Sequence, residues 1–224
     1  MLRVHHLNNS RSQRVLWLLE ELGCAYEVVP HGRDPATMMA PAALVGVHPL
    51  GKSPVIEADG VVLAETGAIV EYIVETRGKG RMQPPAGTPE HLRCRYWLHY
   101  AEGSLMAPLT MRLLFDQIER APVNFLIRKI IQGLARSVKA GYIDKQIGRH
   151  LDYLEAELAR SAWFAGDALS IADIMMSFPV QVAAAQGVLG TRPRLRAWLA
   201  AVEAREAWAR GVARGGPYTL SGLA

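Results

Sequence analysis

The stretch His48 to Thr66, HPLGKSPVIEADGVVLAET, constrains the fold more than any other part of the chain. Ser53-Pro54 precedes the apolar pair Val55-Ile56. Proline has no N–H, so it can open a strand but not occupy the middle of a central one. Asp59-Gly60, between Glu57-Ala58 and Val61-Val62, is a two-residue hairpin turn. Glu65-Thr66 then begins a helix, whose free N–H groups and dipole favour an anion. A hairpin must therefore feed directly into a helix, with unpaired backbone beside Pro54. Both features point to a ligand site.

The elements before this stretch complete a small α/β unit. Residues 2–7 read as a strand and 14–22 as a helix with Val15, Leu16, Leu18, Leu19 and Leu22 apolar. Gly23 is its stop. A second strand follows over 25–30, then a short helix around 36–44, strands over 54–58 and 61–64, and a helix from Thr66 to about residue 75. The first two strands need a right-handed crossover and are therefore parallel; the last two form a hairpin. This predicts a thioredoxin-like domain over residues 1–78.

Residues 79–88 read as a linker by their Gly, Pro and Lys content. Everything beyond is helical in pattern, predicting an all-α bundle over 89–224. Thr88-Pro89-Glu90 supplies an N-cap and a first-turn proline, and this helix could run to about residue 118. Pro122 restarts another. Residues 142–160, 170–186 and 193–210 complete the set. Ser170-Ile171-Ala172-Asp173 is a capping box with Asp in place of Glu, so Asp173 reads as a helix cap rather than a catalytic carboxylate.

Half the residues are apolar, enough for a sizeable core. No run approaches a membrane-spanning length. The first residues, MLRVHH, lack the apolar core of a signal peptide, so a cytoplasmic protein is expected. Cys24 and Cys94 form no CxxC, and neither a disulfide framework nor a metal site is expected. Residues 1–80 carry a net charge of −2 and residues 81–224 one of +6. The basic excess is spread over helices and reads as solvated faces. No reading motif accompanies it, so no nucleic-acid partner is expected.

The order of these features, together with SRSQRVLWLLEEL over residues 10–22, resembles the cytosolic glutathione transferases along essentially the whole chain. Its similarity is greatest to a serine-type bacterial and fungal branch. The resemblance implies glutathione as co-substrate, bound by Lys52, Ser53, Pro54, Glu65 and Thr66. Pro54 would be cis, with the Ser53 backbone pairing the cysteinyl part of glutathione as an added strand. Lys52 would meet the glycine carboxylate, Thr66 the γ-glutamyl carboxylate and Glu65 the γ-glutamyl ammonium. His48 stands where many members of the family have Asn.

Thioredoxin-type redox proteins keep a cysteine after the first strand, whereas this chain has Asn8-Asn9-Ser10-Arg11-Ser12. A serine hydroxyl there can donate to the thiolate of bound glutathione. Ser10 is the candidate by its spacing to Arg14, and Ser12 is the alternative. His5 and His6 occupy the place where tyrosine-type classes keep a catalytic tyrosine, which favours the serine reading. The electrophile pocket implied by the resemblance draws on Tyr96, Tyr100, Met106, Met111 and Phe115, with Tyr218 in the tail. A homodimer is also implied. The implied activity is attack of the glutathione thiolate on small hydrophobic electrophiles. Glutathione-dependent reduction of organic hydroperoxides and non-catalytic ligand binding are the alternatives.

Overall fold

The computed structural model of the protein describes residues 1–34, 37 and 39–220. Strand β1 (Arg3–Leu7) leads through helix α1 (Ser12–Leu22) to β2 (Glu27–His31). A short helix α2 (Ala42–Val47) precedes the hairpin β3 (Val55–Ala58) and β4 (Val61–Ala64), and α3 (Thr66–Arg77) follows. The sheet order is β2-β1-β3-β4, with β1 and β2 parallel and the other pairs antiparallel. This is the expected thioredoxin-like topology. The short helix begins later than expected; of the predicted range, Ala36 and Met38 lie outside the described residues.

Local chemistry accounts for the boundaries. Gly23 ends α1 in the left-handed region, with the Cys24 N–H returning to the Leu19 carbonyl at 2.9 Å. Asp59 and Gly60 both have positive φ, the geometry of a tight hairpin turn. Pro30 is tolerated in β2 because β2 is an edge strand. One face of the sheet (Val4, Ile56, Ala58) packs with Val15, Leu16, Leu19, Ile69 and Ile73 from α1 and α3 in one continuous core.

The second part is helical. Pro89–Tyr100 (α4) runs through one π-helical turn, Ala101–Leu105, into α5 (Met106–Glu119). Thr88 caps α4 by accepting the His91 N–H at 3.2 Å. Helix α6 (Phe125–Val138) likewise passes through a π turn, Lys139–Ile143, into α7 (Asp144–Glu157). Then come α8 (Ile171–Ala185), α9 (Pro193–Glu203) and α10 (Glu206–Gly215). The single helix expected over 193–210 is thus two, broken at Ala204-Arg205. Arg205 has extended backbone and pairs its guanidinium with Glu21 of α1, so tertiary pairing turns the chain where no glycine or proline does. The α8 capping box is formed, with Asp173 accepting from the Ser170 N–H.

The segment between α3 and α4 is held near its start to both parts of the molecule. The Met82 carbonyl accepts the Ile171 N–H at the start of α8, and Arg81 donates to the Leu22 carbonyl at the end of α1. Helix α10 returns across the molecule to lie along α1. Arg210 and Arg214 pair with Glu20 there, Gly211 brings the two backbones close, and Gly215 makes room for the Leu16, Gln13 and His6 side chains. No helix among the described residues is long and apolar enough to cross a membrane.

Candidate functional site

The site is built where β1 ends and β3 and α3 begin. The Ser53-Pro54 peptide bond is cis. The ladder between β1 and β3 stops at His5 opposite Val55, so Ser53 lies just beyond it. Its hydroxyl accepts the Leu7 N–H at 3.2 Å and donates to the His5 carbonyl at 2.9 Å, continuing the sheet with a side chain. The Ser53 main chain makes no backbone–backbone hydrogen bond among the described residues. An extended peptide could pair with such a segment. Immediately before it, Gly51 has φ +56, and a Cβ there would come within 2.7 Å of Val45. The tight turn that presents Lys52 therefore requires glycine. Lys52 is exposed and forms no ion pair among the described residues.

Glu65 joins β4 to α3 with φ 70 and ψ 117. A non-glycine residue held there is a strained backbone of the kind concentrated at functional sites. Its carbonyl accepts the Ile69 N–H, so the strain sits at the helix N-cap, and its carboxylate is exposed. Thr66 is buried, with the first N–H groups of α3 beside it. A carboxylate adjacent to helix N–H donors is a pair of opposite poles suited to a zwitterion.

The Thr66 hydroxyl accepts from Arg14 Nη2 at 3.4 Å. Arg14 is fully buried. It also donates to the Met175 carbonyl at 2.7 Å and to Glu102 at 2.5 Å. Arg11 binds the same carboxylate at 3.1 Å, and both guanidiniums lie over the Phe178 ring. Burial lowers the proton affinity of Arg14 and pushes that of Glu102 up. For Glu102 the two guanidiniums outweigh burial and hold its carboxyl below the usual range. Glu102 stands in the π turn between α4 and α5. An ionic tie thus joins the helical part to the sheet part directly beneath Thr66. Sequence reading missed it, because residues 88 positions apart carry no local signal.

In the loop after β1, Ser10 is buried with its Oγ 2.8 Å from Ser12 Oγ, and it accepts the Ser12 N–H at 3.2 Å. Ser12 is buried more deeply, 2.9 Å from His6 Nδ1. Both candidate serines therefore belong to one hydrogen-bonded group, with Ser10 the outer member. His6 was read only as the absence of a tyrosine; its contact with Ser12 follows from the loop's fold.

The pocket candidates separate. Tyr96 and Tyr100 stack on each other and meet Trp97 edge-on, Tyr100 also meets the tilted ring of Tyr153, and the Tyr100 hydroxyl meets His150 at 2.5 Å. That cluster shares no hydrogen bond or ring contact with Ser10 or Ser12 among the described residues. Met106 is buried one helical turn after Glu102, on the same side of the rod. Met111 is exposed and Phe115 packs against the core. Tyr218 lies near Arg14, edge-on to Trp208, and donates to Gln181 at 3.0 Å. Among the described residues no group of three or more His, Cys, Asp or Glu is gathered so as to hold a metal.

Comparison with known sequences decides the family. Residues 2–75 match the family model described as "Glutathione S-transferase, N-terminal domain", and residues 116–201 that of the C-terminal domain. Glutathione S-transferase 3 of Schizosaccharomyces pombe is 34% identical, over 92% of this chain and 85% of its own length.

The chain belongs to the glutathione S-transferase family.

Glutathione S-transferase 1 of Saccharomyces cerevisiae is 31% identical over 93% of both chains. Among solved structures, a glutathione S-transferase from Actinobacillus pleuropneumoniae superposes with a TM-score of 0.79 at 26% identity, covering 100% of this chain and 95% of that one. With the family established, glutathione is the co-substrate, and the poles at Glu65 and Thr66 and the unpaired Ser53 backbone fit a short zwitterionic peptide.

Proposed function

We propose that this glutathione transferase holds glutathione along Lys52, Ser53-Pro54 and Glu65-Thr66, and that Ser10 stabilises its sulfur as a thiolate for attack on a small hydrophobic electrophile. The observation that carries this reading is the convergence at one end of the sheet. The unpaired Ser53 backbone, the strained Glu65-Thr66 N-terminus and the Ser10 hydroxyl all belong to segments that leave adjacent elements there. Lys52 supplies a charge for the glycine carboxylate. Glu65 faces the γ-glutamyl ammonium, and Thr66 with the α3 N–H groups holds the neighbouring carboxylate. Residues 1–78 are the glutathione-binding domain, 79–88 the linker and 89–224 the helical domain bearing the electrophile site. Met106 and Tyr218 are its best-placed lining residues. The protein is read as a cytoplasmic homodimer.

Magnitudes limit what Ser10 can do. A thiol of pKa near 8.5 is roughly 3% ionised at pH 7, and lowering that value about two units raises the thiolate ~25-fold. Reduced basicity costs roughly 8-fold in nucleophilicity. The net gain is a few-fold, so orienting the sulfur against the electrophile must supply most of the acceleration.

Two measurements test the reading. Glutathione at about 100 times its Kd should raise Tm by ~5 °C or more. Ser10→Ala should keep that shift while losing about 3-fold in kcat/KM toward a chloronitrobenzene, the net gain left after the nucleophilicity cost. Full activity in Ser10→Ala would overturn the serine assignment, and no thermal shift at millimolar glutathione would overturn glutathione binding.

A further inference from the structure

The hydrogen bonds behind Ser10 form a line that ends on the C-terminal helix. Ser10 Oγ lies 2.8 Å from Ser12 Oγ, and Ser12 Oγ lies 2.9 Å from His6 Nδ1. The His6 ring also lies against Gly215, the last residue of α10, where a Cβ would come within 3.0 Å of His6 Cε1. All three side chains are buried. The Gly215 backbone raises the ring's proton affinity, as a carbonyl does, so we assign the neutral ring's proton to Nε2 and leave Nδ1, which faces Ser12, bare. The Ser12 O–H then turns to the bare Nδ1 at 2.9 Å in preference to the Leu7 carbonyl at 3.3 Å, and Ser12 accepts the Ser10 O–H. In this state the Ser10 proton points inward, away from where a sulfur would lie.

We propose that the Ser10–Ser12–His6 line takes up the proton of the glutathione thiol and thereby turns the Ser10 hydroxyl outward toward the sulfur. The S–H bond breaks as an O–H bond forms at Ser10 Oγ. The former Ser10 proton passes to Ser12 Oγ, and the former Ser12 proton to His6 Nδ1. The thiol becomes a thiolate, both serines remain neutral hydroxyls, and the imidazole becomes an imidazolium donating to Ser12 and to Gly215. Each hydroxyl now donates outward, ending in Ser10 O–H···S⁻. When the electrophile consumes the charge on sulfur, the proton returns along the line to the adduct or leaves to solvent.

His6 and Ser12 touch no substrate in this scheme; they are positioning residues that act through Ser10. Burial lowers the proton affinity of His6, so the ring is neutral and able to accept near pH 7. The Gly215 contact opposes burial, and His31 on β2 is the titratable group that faces it. A thiolate at the far end of the line offsets the cost of a buried imidazolium. Gly215 suits the closure: a Cβ there would come within 3.0 Å of His6 Cε1. The inference rests on Ser10 as the thiolate donor.

The test uses the full chain. The pKa of bound glutathione is read from thiolate ultraviolet absorbance, and the His6 protonation state from side-chain ¹⁵N shifts. Glutathione near pH 7 should protonate His6 Nδ1, whereas S-methylglutathione, which has no thiol proton, should not. Ser12→Ala and His6→Asn should each raise the bound thiol's pKa by about one unit, a roughly threefold loss of thiolate at pH 7. Ser12→Thr should restore it. If Ser10→Ala leaves that pKa unmoved, the Ser10 reading falls and the line with it. If Ser10→Ala moves it while Ser12→Ala and His6→Asn do not, the line alone is overturned. Should either variant fail to melt cooperatively, the wild-type His6 signal decides: Nδ1 remaining bare with glutathione bound overturns proton uptake.

Discussion

Lys52 separates binding from folding. It is exposed, makes no ion pair among the described residues and follows a turn that Gly51 alone can make. Removing an exposed, unpaired side chain changes stability by less than ~0.5 kcal/mol. Lys52→Ala should therefore leave Tm unchanged while KM for glutathione rises several-fold, with kcat nearly constant because only uniform binding is lost. The loss should shrink as salt is added, since screening weakens the same attraction in the wild type. Steady-state kinetics at two ionic strengths check this; an unchanged KM would remove Lys52 from the site. Glu65 and Thr66 were as legible as Lys52, because a helix start after a hairpin announces itself in residue types. The positive φ of Glu65 was not, since no glycine or asparagine marks it. Nor was the depth of Ser12, because a loop's direction is set by what packs against it.

Among the elements, α8 is the clearest case of sequence becoming structure. Its capping box was readable, yet Asp173 does more than cap. It accepts the Ser170 N–H at 3.1 Å and, from other elements, the Phe164 N–H at 3.0 Å and Trp198 Nε1 at 3.1 Å. Burial pushes its carboxyl up to about 6 against those donors, so the group is ionised at neutral pH. Asp173→Asn presents an amide donor to sites that are themselves donors and leaves buried N–H groups unpaired. The expected cost is ~2–3 kcal/mol, a fall in Tm of ~4–12 °C. Thermal melting checks it, and a shift below ~2 °C would show the donors find other partners. The α9–α10 break and the two π turns were not legible. Nothing in AVEAREAW departs from helix-forming pattern, and Gly103 and Gly141 do not specify a π turn; the partners lie elsewhere in the sequence: Glu21 of α1 takes Arg205, Asp116 and Glu119 of α5 take Lys139, and Arg14 of α1 with Arg11 before it takes Glu102.

That last tie governs how the two halves act as one molecule. Arg14 is buried in α1 beneath Thr66, and the carboxylate that neutralises it comes from the π turn of the long α4–α5 rod. Burial alone would push the Glu102 carboxyl up; the guanidiniums of Arg14 and Arg11 reverse this and hold it down. A carboxyl depressed on folding contributes stability that is present above its unfolded pKa, about 4.5, and lost as pH falls through the folded value. Glu102→Gln removes that contribution and leaves a buried guanidinium without a counter-charge, at a cost of ~3 kcal/mol. The variant should thus melt ~6–12 °C below the wild type at pH 7. The gap should close as pH falls through the depressed folded value, because the wild type then loses the charge the variant already lacks. Melting curves from pH 7 downward test the sign: a gap independent of pH would mean that Glu102 acts by shape rather than charge. Since Arg14 also supports the Thr66 hydroxyl, the same variant should bind glutathione more weakly at pH 7, so that loss of the interdomain charge is read in both folding and ligand affinity.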